Sequence, residues 1–581
     1  MDHLLSKFCP RIDFDSYEDF FVNFKIKVPQ DFNFGYDVVD EWAAVEPDKV
    51  ALVWCDDECK TPGEGAPHER VFTFSDVSRL SNQMVNVLRG QGIKKGDVCM
   101  VMLRQRYEYW ICAVALHKLG ATIIPATTQL SAKDIVYRAN ASGAKLIIAH
   151  DDPYVHEQIE CARNQAEGLQ LVIGVDSPDG LINGGDGCLK DGWLDFDQLM
   201  AGASEQWQRP ASDSPDAVHN DDIMLIYFTS GTTGLAKMVM HSFTHPLGHI
   251  MTAKYWQQVQ ENKLHMSVSD SGWAKFGWGK IYGQWICGAA VFAYDNVKFH
   301  ATELLQKVQD YQVTTFCVPP TMYRFMLQED LSKFDLSCVQ NFTTAGEPLN
   351  ADVSLRWEKF TGKKIREGLG QSEGPVLIAT QPWLEPKPGS TGKPMPLLGI
   401  KLLDNDGHEV DEGEEGNICV TGLRQHYPPG LFVGYYKDAA KTAEAVGGEY
   451  YNLHDVAWFD SEGYFHFVGR SDDVIKCSGY RISPFEVESV LVEHPAVLEC
   501  AVTAAPDPVR GKVVKATIQL SRGYSASDEL KKELQDYVKH TTAPYKYPRI
   551  VEFVDELPKT IGGKIKRAKI RTEDEGGTFD E

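Results

Sequence analysis

The chain has 581 residues, 43% hydrophobic and 24% charged, which is ordinary for a soluble globular protein and enough for a large core plus at least one further domain. Its 82 acidic and 58 basic side chains give a formal net charge of -24. That field opposes nucleic-acid and anionic-membrane binding in general, while leaving room for a local basic pocket that holds a nucleotide.

No run of about 18 apolar residues predicts a membrane span. The opening MDHLLSKFCPRIDFDSYEDFF lacks both an apolar signal core and an Arg-rich, acid-poor transit bias, so a cytoplasmic protein is expected. The thirteen cysteines read as reduced thiols used for packing, with Cys55 and Cys59 in a solvated loop.

From the N-terminus, helix and strand signals alternate. Ser75 is placed to cap a helix with Val77, Leu80, Met84, Val87 and Leu88 at a 3.6 period, ended by Gly90. Strands are predicted at 99–103, 122–126 and 145–149, with helices at 107–119 and 131–141 between them. Such alternation predicts a parallel sheet with helices on both faces. Residues 176–216, rich in Gly, Asp and Ser, read as surface elaboration.

The apolar run Ile223 to Phe228 then leads into YFTSGTTGLAKMVMH, Tyr227 to His241. A buried strand, a polar glycine loop and a cation in that order suit polyphosphate, because glycines let backbone N–H groups approach anionic oxygens and hydroxyls add donors. Gly231, Gly234 and Lys237 do not have the spacing of the common P-loop, so this stretch alone leaves a flexible connector open. A second alternating block follows, with strands at 313–318 and 341–347 and a helix from Thr321. From Gly389 the texture turns to short strands and Gly, Pro and Asp turns, a β-rich subdomain. The last hundred or so residues form a small α+β unit. It opens on a Ser483-Pro484-Phe485-Glu486 capping box and carries an amphipathic helix after Ser527.

Seven motifs occur in one order: YFTSGTTGLAK, GEP at Gly346 to Pro348, GQSE at Gly370 to Glu373, His454-Asp455, GRSDD at 469–473, SGYRISPFEVE at 478–488 and PKTIGGKIKR at 558–567. Together they resemble the AMP-forming adenylating enzymes over nearly the whole chain. SGYRISPFEVE, APDPVRGKVVKA and APYKYPR are most similar to the medium-chain acyl-CoA synthetases. The fold this implies is α/β: a large N-terminal domain of two parallel-sheet subdomains plus the β-rich one (1–471), and a small mobile α+β C-terminal domain (472–581). The family's reaction joins a carboxylate to ATP, releases pyrophosphate, and passes the acyl group to a thiol. The implied participants are ATP, Mg²⁺, CoA and a small carboxylic acid, with no nucleic acid and no membrane span; assembly as a homodimer is open.

By this resemblance Thr229, Ser230, Gly231, Thr232, Thr233, Gly234 and Lys237 hold the β- and γ-phosphates. Glu373 ligates Mg²⁺, and Ser372, where the family usually has Thr, touches the α-phosphate. Gly346, Glu347 and Pro348, with the backbone of Glu367, Gly368, Leu369, Gly370 and Gln371, line the adenine. Asp455 accepts the ribose hydroxyls with Arg470 beside it. Lys564 bridges carboxylate and α-phosphate during adenylation, and Asp472 is the hinge. Ser478, Gly479, Tyr480 and Arg481 belong to the pantetheine tunnel, and Arg510, Tyr545 and Lys546 to the CoA nucleotide. Trp273 and Lys275 lie in the acyl pocket. Gly370 stands where acetyl-CoA synthetases carry a closing tryptophan, which implies an open pocket for short to medium or branched acids. An amino-acid or aryl-acid adenylating protein that loads a carrier domain, and a non-catalytic AMP- or ATP-binding regulator, stand as alternatives.

Overall fold

The structure, a computed structural model, describes residues 4–59, 63, 68–150, 152–175, 192–229, 236–477, 480–507, 511–559 and 564–577. Two large sheets form the body. One has eight strands in the order Gly434–Tyr435, Lys237–Ser242, Ile223–Thr229, Thr122–Pro125, Val98–Met102, Ala144–His150, Leu171–Val175 and Leu194–Asp195. The strands from Ile223–Thr229 onward in that order pair in parallel, and the first two run antiparallel at one edge. The other sheet has nine strands, with a parallel centre from Val50–Asp56 to Ile365–Gly370. A third, antiparallel sheet of four strands runs from Ile400–Leu403 to Phe465–Arg470. It is the β-rich subdomain that the Gly, Pro and Asp turns predict.

The local chemistry explains most element ends. The helix Phe74–Gly90 is capped by Thr73 in a complete box with Asp76, two residues before the expected Ser75. The box needs a carboxylate three residues after the cap, and Thr73 has one. At Ser483 the box is only half made. The serine accepts from the Glu486 N–H, but the Glu486 carboxylate binds Lys546 Nζ at 2.5 Å instead. Cys55 and Cys59 are both buried rather than in a solvated loop, because Cys55 lies on Val50–Asp56, where strands close over it on both sides. The Cys59 thiol lies 3.3 Å from the Tyr311 hydroxyl.

A separate C-terminal domain has its own core, with Ile475, Leu491, Val514, Leu534 and Val551 among its buried residues. Its three-stranded sheet pairs Val497–Asp507 with Gly511–Leu520 and then Ile550–Val554. The helix Asp528–Thr541 buries Leu530, Leu534 and Val538 against it, the face expected from the sequence. Among the described residues no helix is long and apolar enough to cross a membrane.

The described start of the chain is built into the large domain. Phe20 is fully buried, 4.4 Å from the Tyr255 ring and 5.1 Å from that of Trp383. Tyr255 OH donates to Ile12 O at 2.8 Å, and Trp383 Nε1 to Phe14 O at 3.0 Å. Phe20→Ala is therefore expected to cost about 3–5 kcal/mol of folding stability, read as a lower urea midpoint. An unchanged midpoint would show that this segment does not support the core.

Candidate active site

The site gathers at the strand ends between the large domain and the C-terminal domain. Asp455 and Arg470 lie directly opposite each other on the antiparallel pair Tyr450–Phe459 and Phe465–Arg470. Arg470 Nη1 donates to Asp455 Oδ1 at 3.4 Å and to Leu453 O at 3.2 Å. Gln371 Nε2 donates to Asp455 Oδ2 at 2.7 Å, and Tyr451 OH to Gln371 Oε1 at 3.1 Å. Asp455 is nevertheless buried, and burial raises its carboxyl above the usual range, opposed by Arg470, Gln371 and Lys564. The positive φ of 61° at His454 turns the strand just before it, the loop-shaping role its sequence setting suggests.

Glu373 lies on the other side of this corner. Its backbone carbonyl accepts from Phe432 N at 2.7 Å, and its Oε1 from Tyr435 OH at 3.3 Å. Burial raises its carboxyl also, with Lys237, Tyr435 and Arg470 pulling the other way. Lys237 Nζ stands 5.4 Å from the centre of the Tyr435 ring, within cation–π range. Ser372 presents its carbonyl to His241 Nε2 at 2.8 Å, so His241 is a packed residue that anchors the turn. Thr229 ends its strand opposite Lys237. Ser230, Gly231, Thr232, Thr233 and Gly234 lie outside the described residues.

The GEP turn follows the strand Asn341–Thr344. Gly346 has φ 106° and open space around its missing Cβ, so the backbone conformation alone requires glycine there. Glu347 Oε2 accepts from Thr321 Oγ1 at 2.7 Å and lies 3.9 Å from Arg324. Pro348 leads into the helix Ala351–Thr361, whose Asn350 cap also donates to Ser489 O of the C-terminal domain at 3.0 Å. Glu367 is buried on Ile365–Gly370, and burial pushes its carboxyl up to about 8, with the Leu349 N–H opposing. Gly368 packs on the Trp256 ring, and a Cβ there would lie 2.6 Å from it. A Cβ at Gly370 would lie 2.9 Å from Pro375 O, in the hairpin with Val376–Ala379 where the register shifts after Leu369. The backbone of this hairpin faces position 370, so a tryptophan there would distort the turn before it closed a pocket.

Trp273 caps the helix Ala274–Lys280, and its Nε1 is buried with no partner among the described residues. Lys275 Nζ donates to Ala345 O at 3.2 Å. Trp285 is fully buried, and Trp278 packs partly buried against Trp256 at 5.8 Å.

Lys564 comes from the C-terminal domain, yet its charge acts on both Asp455 and Lys275. Its approach is held by a bridge between domains. Arg324 Nη2 meets Glu499 Oε1 at 3.3 Å, and Lys559 Nζ meets Glu499 Oε2 at 2.5 Å. Asp472 is exposed in the turn after Arg470, its Oδ1 3.8 Å from Arg470 Nε. Ser478, Gly479, Arg510 and the Arg481 side chain lie outside the described residues. Tyr480 and Tyr545 are exposed and stack at 4.1 Å and 14°, with Lys546 beside them. Sequence reasoning missed Tyr435, Tyr451, Arg324 and Glu499. None stands in a motif, and each reaches the site only through strand or domain pairing.

Residues 39–436 match the AMP-binding enzyme model and residues 486–564 its C-terminal domain. The chain is 39% identical to the acyl-coenzyme A synthetase ACSM3, mitochondrial, of Mus musculus, covering 96% of this chain and 93% of that protein. It is 39% identical to the human ACSM4, mitochondrial, over 94% and 91%. Among solved structures it is similar to the anthranilate CoA ligase AuaEII in complex with anthranoyl-AMP, with TM-score 0.83, 28% identity and coverage of 94% and 98%. It is also similar to a Brucella canis acyl-CoA synthetase, with TM-score 0.71, 28% identity and coverage of 97% and 99%.

The expected cytoplasmic location is corrected by these relatives, which are mitochondrial. The expectation rested on the residue types of the opening stretch. The structure uses the apolar residues of that stretch for packing, with Leu4, Leu5, Phe8 and Phe20 buried.

Glu367 yields a pH prediction. Its folded value, about 8, stands above the ordinary 4.5, so between the two the native state holds a proton that the unfolded chain releases. Stability therefore falls as pH rises through this window. Glu367→Gln should flatten the loss of Tm between pH 5 and 8. Parallel declines in both proteins would remove Glu367 as its source.

Proposed function

This chain belongs to the AMP-binding enzyme family, and we infer from its site that it is an AMP-forming acyl-CoA synthetase. It activates a carboxylic acid with ATP to acyl-AMP and pyrophosphate, then passes the acyl group to CoA with release of AMP. The observation that carries this reading is the bridge Arg324–Glu499–Lys559, which holds the segment of Lys564, on the C-terminal domain, against the large one. A protein that only bound AMP would gain nothing from a lysine held there by a second domain. Lys275 would repel a substrate ammonium, which disfavours amino-acid adenylation.

The chemistry brings an anion to a polyanion, so the site must supply cations and N–H donors. In this reading Asp455 accepts the ribose hydroxyls, with Gln371 and Arg470 fixing its two oxygens. Gly346 to Pro348 and Glu367 to Gln371 enclose the adenine. Thr229 to Lys237 grip the β- and γ-phosphates, and Ser372 the α-phosphate. Lys564 donates to the oxygens of the attacking carboxylate and the α-phosphate as their charges close. The residues present fit Mg²⁺: Glu373 is a buried carboxylate whose side chain has one neutral hydroxyl beside it. Among the described residues no cluster offers three metal-ligating side chains, which suits an ion held by one carboxylate, phosphate oxygens and water. Its charge would offset that of the triphosphate.

The domains divide at 471/472, where Asp472 is solvated and free to change backbone angles. For the thioester step Ser478, Gly479, Tyr480, Arg481, Arg510, Tyr545 and Lys546 serve CoA, and of these Tyr480 and Tyr545 form an exposed stacked pair. The acid is short to medium in length or branched, because Trp273, Trp278 and Trp285 crowd the segment that carries Lys275.

Two experiments test this. Lys564→Ala should lower acyl-AMP formation by about 10²–10³ while largely sparing thioester formation from supplied acyl-AMP; equal losses would reject its role. A panel of C2 to C14 acids scored for CoA-dependent AMP release should show kcat/KM rising about fourfold per CH₂, from about 0.8 kcal/mol each, until the pocket is full. No AMP release with any acid would sink the assignment.

A further inference from the structure

The edge strand Gly434–Tyr435 carries a side chain that the reaction as described does not use. Tyr435 OH donates to Glu373 Oε1 at 3.3 Å, and the ammonium of Lys237 stands 5.4 Å from the centre of the same ring. One residue thus touches both the carboxylate assigned to the ion and the lysine assigned to the phosphates. Among the described residues no other side chain hydrogen-bonds the Glu373 carboxylate, and the Lys237 ammonium has neither hydrogen bond nor ion pair.

The backbone builds this placement. Tyr435 lies in register with Val239 on the antiparallel strand Lys237–Ser242. Residues two apart on a strand share a face, so Tyr435 and Lys237 are diagonal neighbours on one side of the sheet. Val433 N donates to Met240 O and Tyr436 N to Met238 O, each at 2.8 Å. Tyr435 N donates to Thr442 Oγ1 at 2.9 Å. Gly434 has φ 132°, and a Cβ on it would lie 2.5 Å from Thr442 Cγ2. At the near end Phe432 N donates to Glu373 O at 2.7 Å. Residues 432–435 therefore hold Glu373 twice, by its backbone and by its carboxylate.

The chemistry of that grip is selective. A carboxylate that takes a hard cation has two oxygens on a rotatable stem. A donor on one oxygen fixes the group and leaves the other to the ion. A phenol does this without charge, whereas a lysine or arginine in its place would compete with the ion for the carboxylate. The ring acts on Lys237 in a matching way. Its face holds the ammonium on this side of the sheet without an ion pair to Glu373, and phosphate oxygens bind an ammonium more strongly than a ring face does.

We propose that Tyr435 is a positioning residue for the metal-bound triphosphate. Its hydroxyl fixes one oxygen of Glu373 so that the other is left to Mg²⁺, and its ring holds Lys237 ready for the phosphates. This rests on the synthetase reading above, in which Glu373 serves the ion and Lys237 the phosphates, and it adds the residue that sets the two against each other.

The test uses the full-length protein and begins without acid or CoA, reading the rise in Tm that ATP produces as Mg²⁺ is titrated. Tyr435→Phe keeps the ring and loses the hydroxyl. Its Mg²⁺ midpoint should rise about 10- to 100-fold, while the shift from ATP in EDTA stays as in the wild type. Tyr435→Leu loses both features, and should in addition weaken metal-free ATP by about two- to fivefold. In the Glu373→Ala protein, Tyr435→Phe should move the midpoint little further, because its target is gone. Thioester formation from supplied acyl-AMP needs no triphosphate and should survive in both Tyr435 variants. An unchanged Mg²⁺ midpoint, an effect that adds in full to that of Glu373→Ala, or an equal loss of thioester formation overturns the proposal and leaves the synthetase assignment standing. No stabilisation of the wild type by ATP, with or without Mg²⁺, together with no AMP release from any acid, removes that assignment as well. Should Tyr435→Phe fail to fold, Tyr435→Leu is read for the same rise.

Discussion

Glu499 is buried between two cations of different domains, Arg324 on one side and Lys559 on the other. A buried carboxylate needs such partners, since leaving one charge unpaired in the interior costs several kcal/mol. The geometry of the site follows from this bridge. Lys559 stands five residues before Lys564, and Arg324 also donates to Thr321, which holds Glu347 of the GEP turn. The proposed adenine wall and the proposed adenylation lysine are thus joined through one carboxylate. A domain that must move away for a second half-reaction can break such a contact only if the separated charges are rehydrated. Arg324 and Lys559 are both partly exposed, so water can reach them as the interface opens.

The large domain was legible wherever local chemistry decides the structure. Apolar runs of strand length became strands within about two residues of their expected ends, as at Ile223–Thr229 and Ala144–His150. Ser131 and Ser527 cap the helices they precede. The Asp455 corner was visible because its members lie in short motifs. The failures also have local causes. The acidic run around Cys55 and Cys59 is largely solvated, but Cys55 is buried by pairing with strands from elsewhere in the chain. Tyr435 reaches Glu373 because Gly434–Tyr435 adds itself to the edge of a sheet whose neighbouring strand is about 200 residues earlier. No periodicity in one sequence encodes that pairing.

The candidate site is held together by a conflict of desolvation. Glu367, Glu373 and Asp455 are carboxylates whose burial raises them, and Lys275 and Lys280 are amines whose burial lowers them. Burial works against the charged form of each group, a cost that the large core can carry. The acids and the amines are also kept apart. Asp455 stands on Tyr450–Phe459, Glu367 on Ile365–Gly370 and Glu373 just after it, while the lysines stand on Ala274–Lys280. ATP and the acid would supply what each side lacks: hydroxyls and a cation for the carboxylates, anionic oxygen for the amines. Preorganisation of this kind places the energetic expense in folding and leaves little reorganisation for the reaction itself.

That arrangement bears on specificity. An apolar pocket distinguishes acids weakly, because each methylene contributes little. A site that leaves buried donors unpaired rejects any ligand unable to satisfy them far more strongly. Trp273 Nε1 and Ser267 Oγ are buried donors of that second kind among the described residues, one at the head of the helix Ala274–Lys280 and the other on the strand Leu264–Ser267.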